Sequence, residues 1–273
     1  MPNDNVIAFL PGKAGSGASI TAVNVADCLA RIWKQQVLLI DGDFNSGLLS
    51  FLLSAAPRKS ITDALETSDR LDEVWATLVS STPRLDLLPA PTDRRRPKVS
   101  LWNYQRFLAH VRARYQAAIV DLPDVVDEAT EPLVKVARYV CIVCTPETTS
   151  LLLAKERIAM VKKLGVSESY IGIVLNCCTE ADPKKSDIEE ILQKPVLASL
   201  PRDDRGVRRS IVGGRLVEEG SRLGKGFCFL AQALIGREPP TQRQTGWRSW
   251  MRKSQEDKRP VSTGAVSEMD HWS

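Results

Sequence analysis

Two groups of residues in the first half of the chain have the types and spacing to handle a phosphorylated ligand. The segment PGKAGSGASI carries Gly12, Lys13, Gly15, Ser16, Gly17, Ala18, Ser19 and Ile20 directly after a short apolar run. Gly12, Gly17 and Ser19 fit the phosphate-loop template G-x-x-x-x-G-K-[ST], with Ala18 at the lysine position. Glycines let the backbone curl until successive N–H groups face phosphate oxygens. A helix opening near Ser19 adds the positive end of its dipole, and the Ser19 hydroxyl is placed to meet Mg²⁺. The second group is acidic. Asp41 and Asp43 close VLLIDGD, and Asp121 closes AAIVDL. Each falls at the C-terminal end of an expected strand, where open α/β sheets hold ligands. A glycine-rich turn alone could be structural, and one strand-end Asp would mean little. Three such carboxylates in register with the loop are a stronger signal.

The elements that must position these residues are short apolar runs alternating with amphipathic stretches. The runs cover 6–10, 37–40, 85–90, 117–122, 139–144, 170–175 and 196–200. Most lack polar alternation, as strands buried on both faces do. Helical patterns fill the gaps, for example over 19–33 and 150–164. The alternation predicts an α/β fold of three layers, a mostly parallel central sheet with helices on both faces. It extends over residues 1–236, and residues 237–273 read as a flexible C-terminal tail rich in Pro, Gln, Arg and Ser.

The stretch KAGSGAS resembles the deviant Walker A motif, K-G-G-x-G-K-[ST], of the ParA/MinD family. The likeness continues through Asn24, through VLLIDGDFN with Asp41 and Asp43, and through AAIVDLPD with Asp121. It then runs through VLNC, with Asn176, and SLPRDDRGVRRSIVGGRLVE, with Pro201. It spans residues 5 to about 235 in order and spacing. The resemblance implies ATP or ADP with Mg²⁺ as ligands, and a homodimer in which Lys13 reaches the partner's nucleotide. It implies catalytic roles for Lys13, Asp43 and Asp121, and metal contacts from Ser19, Asp41 and Asp43. Gly12, Lys13, Gly15, Ser16, Gly17, Ala18, Ser19 and Ile20 would cradle the phosphates, Asn176 would recognise adenine, and Pro201 would close over the base. The chain departs from the motif at Ala14, which replaces a glycine, and at Ala18, which replaces the lysine serving its own phosphates. Loss of that lysine resembles the CpaE/TadZ branch, whose members localise pilus and secretion systems. The MinD-like proteins of cellulose secretion lose it too. The expected function is a nucleotide-dependent dimer switch that localises or assembles a membrane-associated machine of the pilus or secretion type, with slow or absent hydrolysis; the alternatives are a MinD-like protein of cellulose-type secretion and a ParA-type DNA-segregation ATPase.

Composition agrees with a globular reading, since hydrophobic residues make up 43% and suffice for a large core. The net charge of +4 is too mild to imply nucleic acid, so a basic surface would be local. Basic clusters occur at Arg94–Lys98, at Arg202–Arg215, and in the tail. DNA contact is the functional reading of the middle cluster, and a solvated face offset by neighbouring carboxylates is the plainer one. Six cysteines form no evident disulfide framework, and Cys141 and Cys144 read as core residues rather than metal ligands. No leader or membrane-spanning run is visible, so a cytoplasmic protein is expected, peripheral to the inner face of the membrane if its tail binds there. Within GWRSWMRK, Trp247, Trp250 and Met251 share helical spacing beside three cations. A short amphipathic helix near 244–253 would suit a membrane surface or a protein of a membrane machine.

Overall fold

The computed structural model describes residues 6–82 and 84–235. All of them belong to one unit that ends at Pro239. In chain order the elements are β1 (Val6–Pro11), α1 (Ala18–Trp33), β2 (Val37–Asp41), α2 (Leu49–Leu52), α3 (Ile61–Glu66), α4 (Leu71–Leu78), β3 (Ser80–Ser81) and β4 (Leu85–Leu88). They continue with α5 (Leu101–Arg114), β5 (Ala118–Asp121), α6 (Glu131–Val136), β6 (Tyr139–Cys144), α7 (Thr148–Lys163), β7 (Ile171–Cys178), α8 (Lys185–Leu192), β8 (Val196–Pro201), α9 (Asp204–Val212) and α10 (Arg222–Ile235). All seven expected runs are strands. The eight-stranded sheet has the order β3-β4-β2-β5-β1-β6-β7-β8 and is parallel except for the β3–β4 pair.

Period-two alternation sorts the strand side chains into two cores. From β1, Val6, Ala8 and Leu10 join α3 to α8 on one face, while Ile7 and Phe9 join α1, α2 and α10 on the other. Cys144 faces the first core and Cys141 the second, as positions three apart on a strand must, so the C-x-x-C is not a paired site. Local chemistry starts the helices. Ser60 with Asp63, and Ser100 with Asn103, form capping boxes, and the Asp203 carboxylate accepts the Gly206 N–H at 2.8 Å. The central strands β2, β5, β1 and β6 all deliver their C-terminal ends to one rim, and the phosphate-loop segment lies there.

Candidate functional site

The loop leaves β1 at Pro11, and the Gly12 N–H donates to the Val143 carbonyl at 2.7 Å. A side chain at Gly12 would press on Cys144 and the Val143 oxygen at 3.1 and 3.2 Å, so glycine is required by close approach to β6. Gly15 and Gly17 have φ of 78° and 89°, the left-handed region that glycine occupies without strain. α1 then opens at Ala18 with its first N–H groups free to face a ligand. Ala18 itself is buried against the core on the α1 side, so the position that carries a lysine in the template holds only a methyl group. Ser16 is fully buried, and its hydroxyl has no partner. Its carbonyl accepts from Asn176 Nδ2 at 2.9 Å, which ties the loop to the end of β7.

The carboxylates gather beside the loop. Asp41 and Asp121 are paired neighbours across β2 and β5. The Ser19 hydroxyl lies beside the Asp121 carboxylate, whose Oδ1 is buried without a partner. Burial, and next the charge of Asp41, push the Asp121 carboxyl well above its ordinary value. Burial likewise raises Asp41 to about 7. Asp41 is also committed to backbone: Oδ1 accepts the Asp43 N–H at 3.2 Å and Oδ2 the Leu49 N–H at 3.0 Å. Asp43 Oδ1 accepts the N–H groups of Asn45 and Ser46 at 2.9 and 3.0 Å. Asp41 and Asp43 thus shape the loop after β2. Among the described residues no three His, Cys, Asp or Glu side chains converge as metal ligands. The donor set of a hydroxyl, an orphaned carboxylate oxygen and nearby acids fits Mg²⁺, which keeps waters and phosphate oxygens as most of its ligands.

Asn176 and Pro201 line one pocket of about 390 Å³ together with Gly15, Gly17, Ile20 and Phe227. Its opposite wall comes from Val207, Arg208 and Ile211 of α9. The pocket is contiguous with the phosphate loop and large enough for a base and sugar. At its floor β7 and β8 shift register between Leu175 and Cys178, and Cys177, which also lines the pocket, has φ 58°.

Lys13 lies on the rim, where its ammonium meets Glu147 Oε2 at 2.5 Å. Glu147 precedes α7 and went unnoticed in the sequence, because the partner lies 134 residues away. Arg96 was also unassigned individually. Its guanidinium binds Asn45 at 2.7 Å and Asp127 at 2.8 Å, and lies 5.6 Å over the Phe44 ring. It bridges the loops that follow β2 and β5. Arg95 is likewise spent on Asp63 and Glu66, so much of the first basic cluster is internally paired. In α9, by contrast, Arg205, Arg208 and Arg209 have no carboxylate partner among the described residues and line a second, open concavity with Val212 and Gly213. One bond is not legible in the sequence. Cys28 of α1 and Cys228 of α10 are joined by a disulfide with their Cα atoms 5.2 Å apart. Packing of the two helices brings together residues separated by 200 positions, which no local spacing announces. The basic tail motif and the proposed helix at 244–253 lie outside the described residues. No helix among the described residues is long and apolar enough to cross a membrane.

Comparison with known proteins places this arrangement. Residues 7–215 match the model of the CobQ/CobB/MinD/ParA nucleotide binding domain. The septum site-determining protein MinD of Synechocystis is 26% identical over 247 residues, covering 87% of this chain and 91% of the relative. Among solved structures, a ParA family ATPase from Chlorobium tepidum superposes with a TM-score of 0.77 at 26% identity, covering 84% of this chain and 99% of that one. MinD from Pyrococcus horikoshii, solved with Mg-ADP, shares the fold with a TM-score of 0.70 at 20% identity, over 85% and 96% of the two chains. A phosphate loop without its usual lysine, strand-end carboxylates and an adjoining Asn176 pocket therefore sit on a chain that belongs to the CobQ/CobB/MinD/ParA nucleotide-binding family.

Proposed function

We propose that this protein is a nucleotide-dependent dimer switch that positions a membrane-associated machine and hydrolyses ATP slowly or not at all. The observation that carries the reading is the contrast at the site: the left-handed glycines of the loop, Ser19 beside Asp121 and the pocket lined by Asn176 stand together, while Ala18 is a buried methyl. Backbone amides, the α1 dipole and Mg²⁺ at Ser19 would hold the phosphates, and Asn176 with Pro201 would hold the adenine. Phosphoryl transfer depends on charge neutralisation more than on covalent help from the protein. Losing a charge-assisted contact of about 3 kcal/mol in the transition state slows the step on the order of 100-fold. Binding survives such a loss better than turnover does. Nucleotide binding by the MinD relative solved with Mg-ADP supports the ligand assignment.

Lys13 sits at the rim, exposed enough to exchange Glu147 for a partner's phosphate. Dimerisation by that exchange would create the state that attaches to a machine of the pilus or secretion type, with the tail as attachment point. Titration of full-length protein with adenine nucleotide, with and without Mg²⁺, tests binding. Turnover at or above about 1 s⁻¹, the low end of ordinary enzymes, would sink the switch reading. Sedimentation of wild type and Lys13→Ala, with and without nucleotide, tests the exchange, and an unchanged dimer fraction in the mutant removes it. The unpaired arginines of α9 favour DNA as a second reading. It requires duplex binding that weakens steeply with salt and is lost on replacing Arg205 and Arg209.

A further inference from the structure

The disulfide joins the two helices that frame the pocket. Ile20, two turns before Cys28 on α1, lines one side, and Leu223 and Phe227 of α10 line another, with Phe227 adjacent to Cys228. The segment leading into α10 is held to α1 as well, since Asn24 Oδ1 accepts the Val217 N–H at 2.9 Å. A cation is built in beside the sulfurs. Arg31 Nη2 lies 3.1 Å from Cys28 Sγ and 3.5 Å from Cys228 Sγ. Its Nε is fixed on Asp27 at 2.9 Å, and Nη1 meets Glu219. Cys28 is fully buried and Cys228 only half-buried, so Cys228 is the more accessible residue of the pair. The other four cysteines remain thiols, so this is no disulfide framework of the kind that staples small secreted domains.

We propose that Cys28 and Cys228 are a reversible thiol–disulfide site, exchanging with small or protein-borne dithiols, and that closing the bond fixes the α10 wall of the pocket to the phosphate-loop helix. The second half of this proposal rests on the nucleotide reading above; the first does not. In the reductive direction the thiolate of a dithiol attacks Cys228 Sγ and the S–S bond breaks. Cys28 leaves as a thiolate beside the Arg31 guanidinium, which stabilises the leaving charge. The second thiol of the dithiol then attacks the mixed disulfide. Cys228 departs as a thiolate, and both protein sulfurs take protons from solvent. One disulfide is reduced and one dithiol is oxidised. In the opposite direction two protein thiols reduce one molecule of oxidised glutathione to two of glutathione. Because a pre-ordered pocket wall lowers the ordering cost of binding, the bonded form takes nucleotide more tightly. Linkage then requires nucleotide to favour the bond by the same factor.

The test uses the full chain equilibrated in glutathione buffers from reducing to oxidising. Free thiols are trapped by maleimide, and the 28–228 cross-linked peptide is quantified by mass spectrometry. The expected result is a bond that opens and closes reversibly within this range. Arg31→Gln should slow reduction by a fixed dithiol about tenfold, with Arg31→Lys restoring it. Failure to form under oxidised glutathione, or persistence at strongly reducing ratios, overturns the site. Mg-ADP affinity should be about tenfold tighter in the oxidised wild type, with the midpoint moved by about 30 mV when nucleotide is present. Cys228→Ser and Cys228→Ala should show one affinity under both conditions. Equal affinities in the two wild-type states overturn the pocket coupling alone. Absence of nucleotide binding in both states overturns the nucleotide reading while the exchange data still decide the site.

Discussion

Replacing Gly17 by alanine isolates the contact that joins the phosphate loop to the pocket. Gly17 has φ 89°, and a methyl there would overlap the Asn176 amide. Gly15 has φ 78°, but a methyl there meets nothing within 4 Å. Both substitutions incur the left-handed backbone penalty of about 1–2 kcal/mol, offset by about 0.4–1 kcal/mol from the stiffer unfolded chain. Gly15→Ala should therefore destabilise the ligand-free protein by about 0.5–1 kcal/mol. Gly17→Ala must also displace Asn176 from the Ser16 carbonyl, losing a hydrogen bond worth about 0.5–1.5 kcal/mol and lifting the total to about 1–2.5 kcal/mol. At roughly 2–4 °C per kcal/mol for a domain of this size, the two melting temperatures should differ by about 1–6 °C. Thermal and urea denaturation of the two single mutants measures the difference. In an Asn176→Ala background the extra loss on Gly17→Ala should disappear, because the hydrogen bond is already absent and no amide remains to overlap. Equal destabilisation of the two glycine mutants would refute the claim that Asn176 packs on the loop.

Ala18→Lys should raise phosphate release from ATP on the order of 100-fold if a missing charge is what limits turnover, read by a phosphate-release assay. Tyr115→Phe removes a hydroxyl that accepts from Trp75 Nε1 at 2.8 Å and donates to Asp86 at 2.5 Å, leaving a donor and an acceptor stranded. The cost should be about 2–3 kcal/mol in a urea melt, well beyond that of an exposed Tyr→Phe change. His110 packs at a tilt against Trp75 with ring centroids 4.6 Å apart, and burial, partly opposed by Asp72, lowers its pKa. The unfolded chain thus binds the proton first, so His110 contributes stability above its unfolded value near 6.5 that is lost as pH falls below it. Melting temperatures from about pH 7.5 to about pH 5.5 should fall less steeply in His110→Gln than in wild type.

The central sheet was legible because its strands are buried on both faces and stand out as unbroken apolar runs. β3 was not, since Ser80–Ser81 is two polar residues held only by pairing with β4. Gly12, Gly15, Gly17 and Ser19 could be read from spacing, because backbone curvature and ligand chemistry restrict what those positions accept. The partners of Lys13 and Arg96, and the Cys28–Cys228 bond, could not. Each joins residues from different elements, and nothing in the local pattern of either residue records where the fold will bring the other. The tail motif at 246–253 remains a sequence-level expectation.

The two borders of the sheet bear on how copies of this chain can meet. A strand at a border offers unpaired N–H and C=O groups that can zip onto another chain. On one side the border strand is β3, only two residues long, so β4 is capped by a piece too short to template a neighbour. On the other, the Val196 N–H at the start of β8 is taken by Glu189 at 2.7 Å, and Pro201 at its end has no N–H to give. Both borders are thus poor templates for lateral extension of the sheet. The proposed pair would therefore meet at the loop-bearing rim rather than along a sheet border.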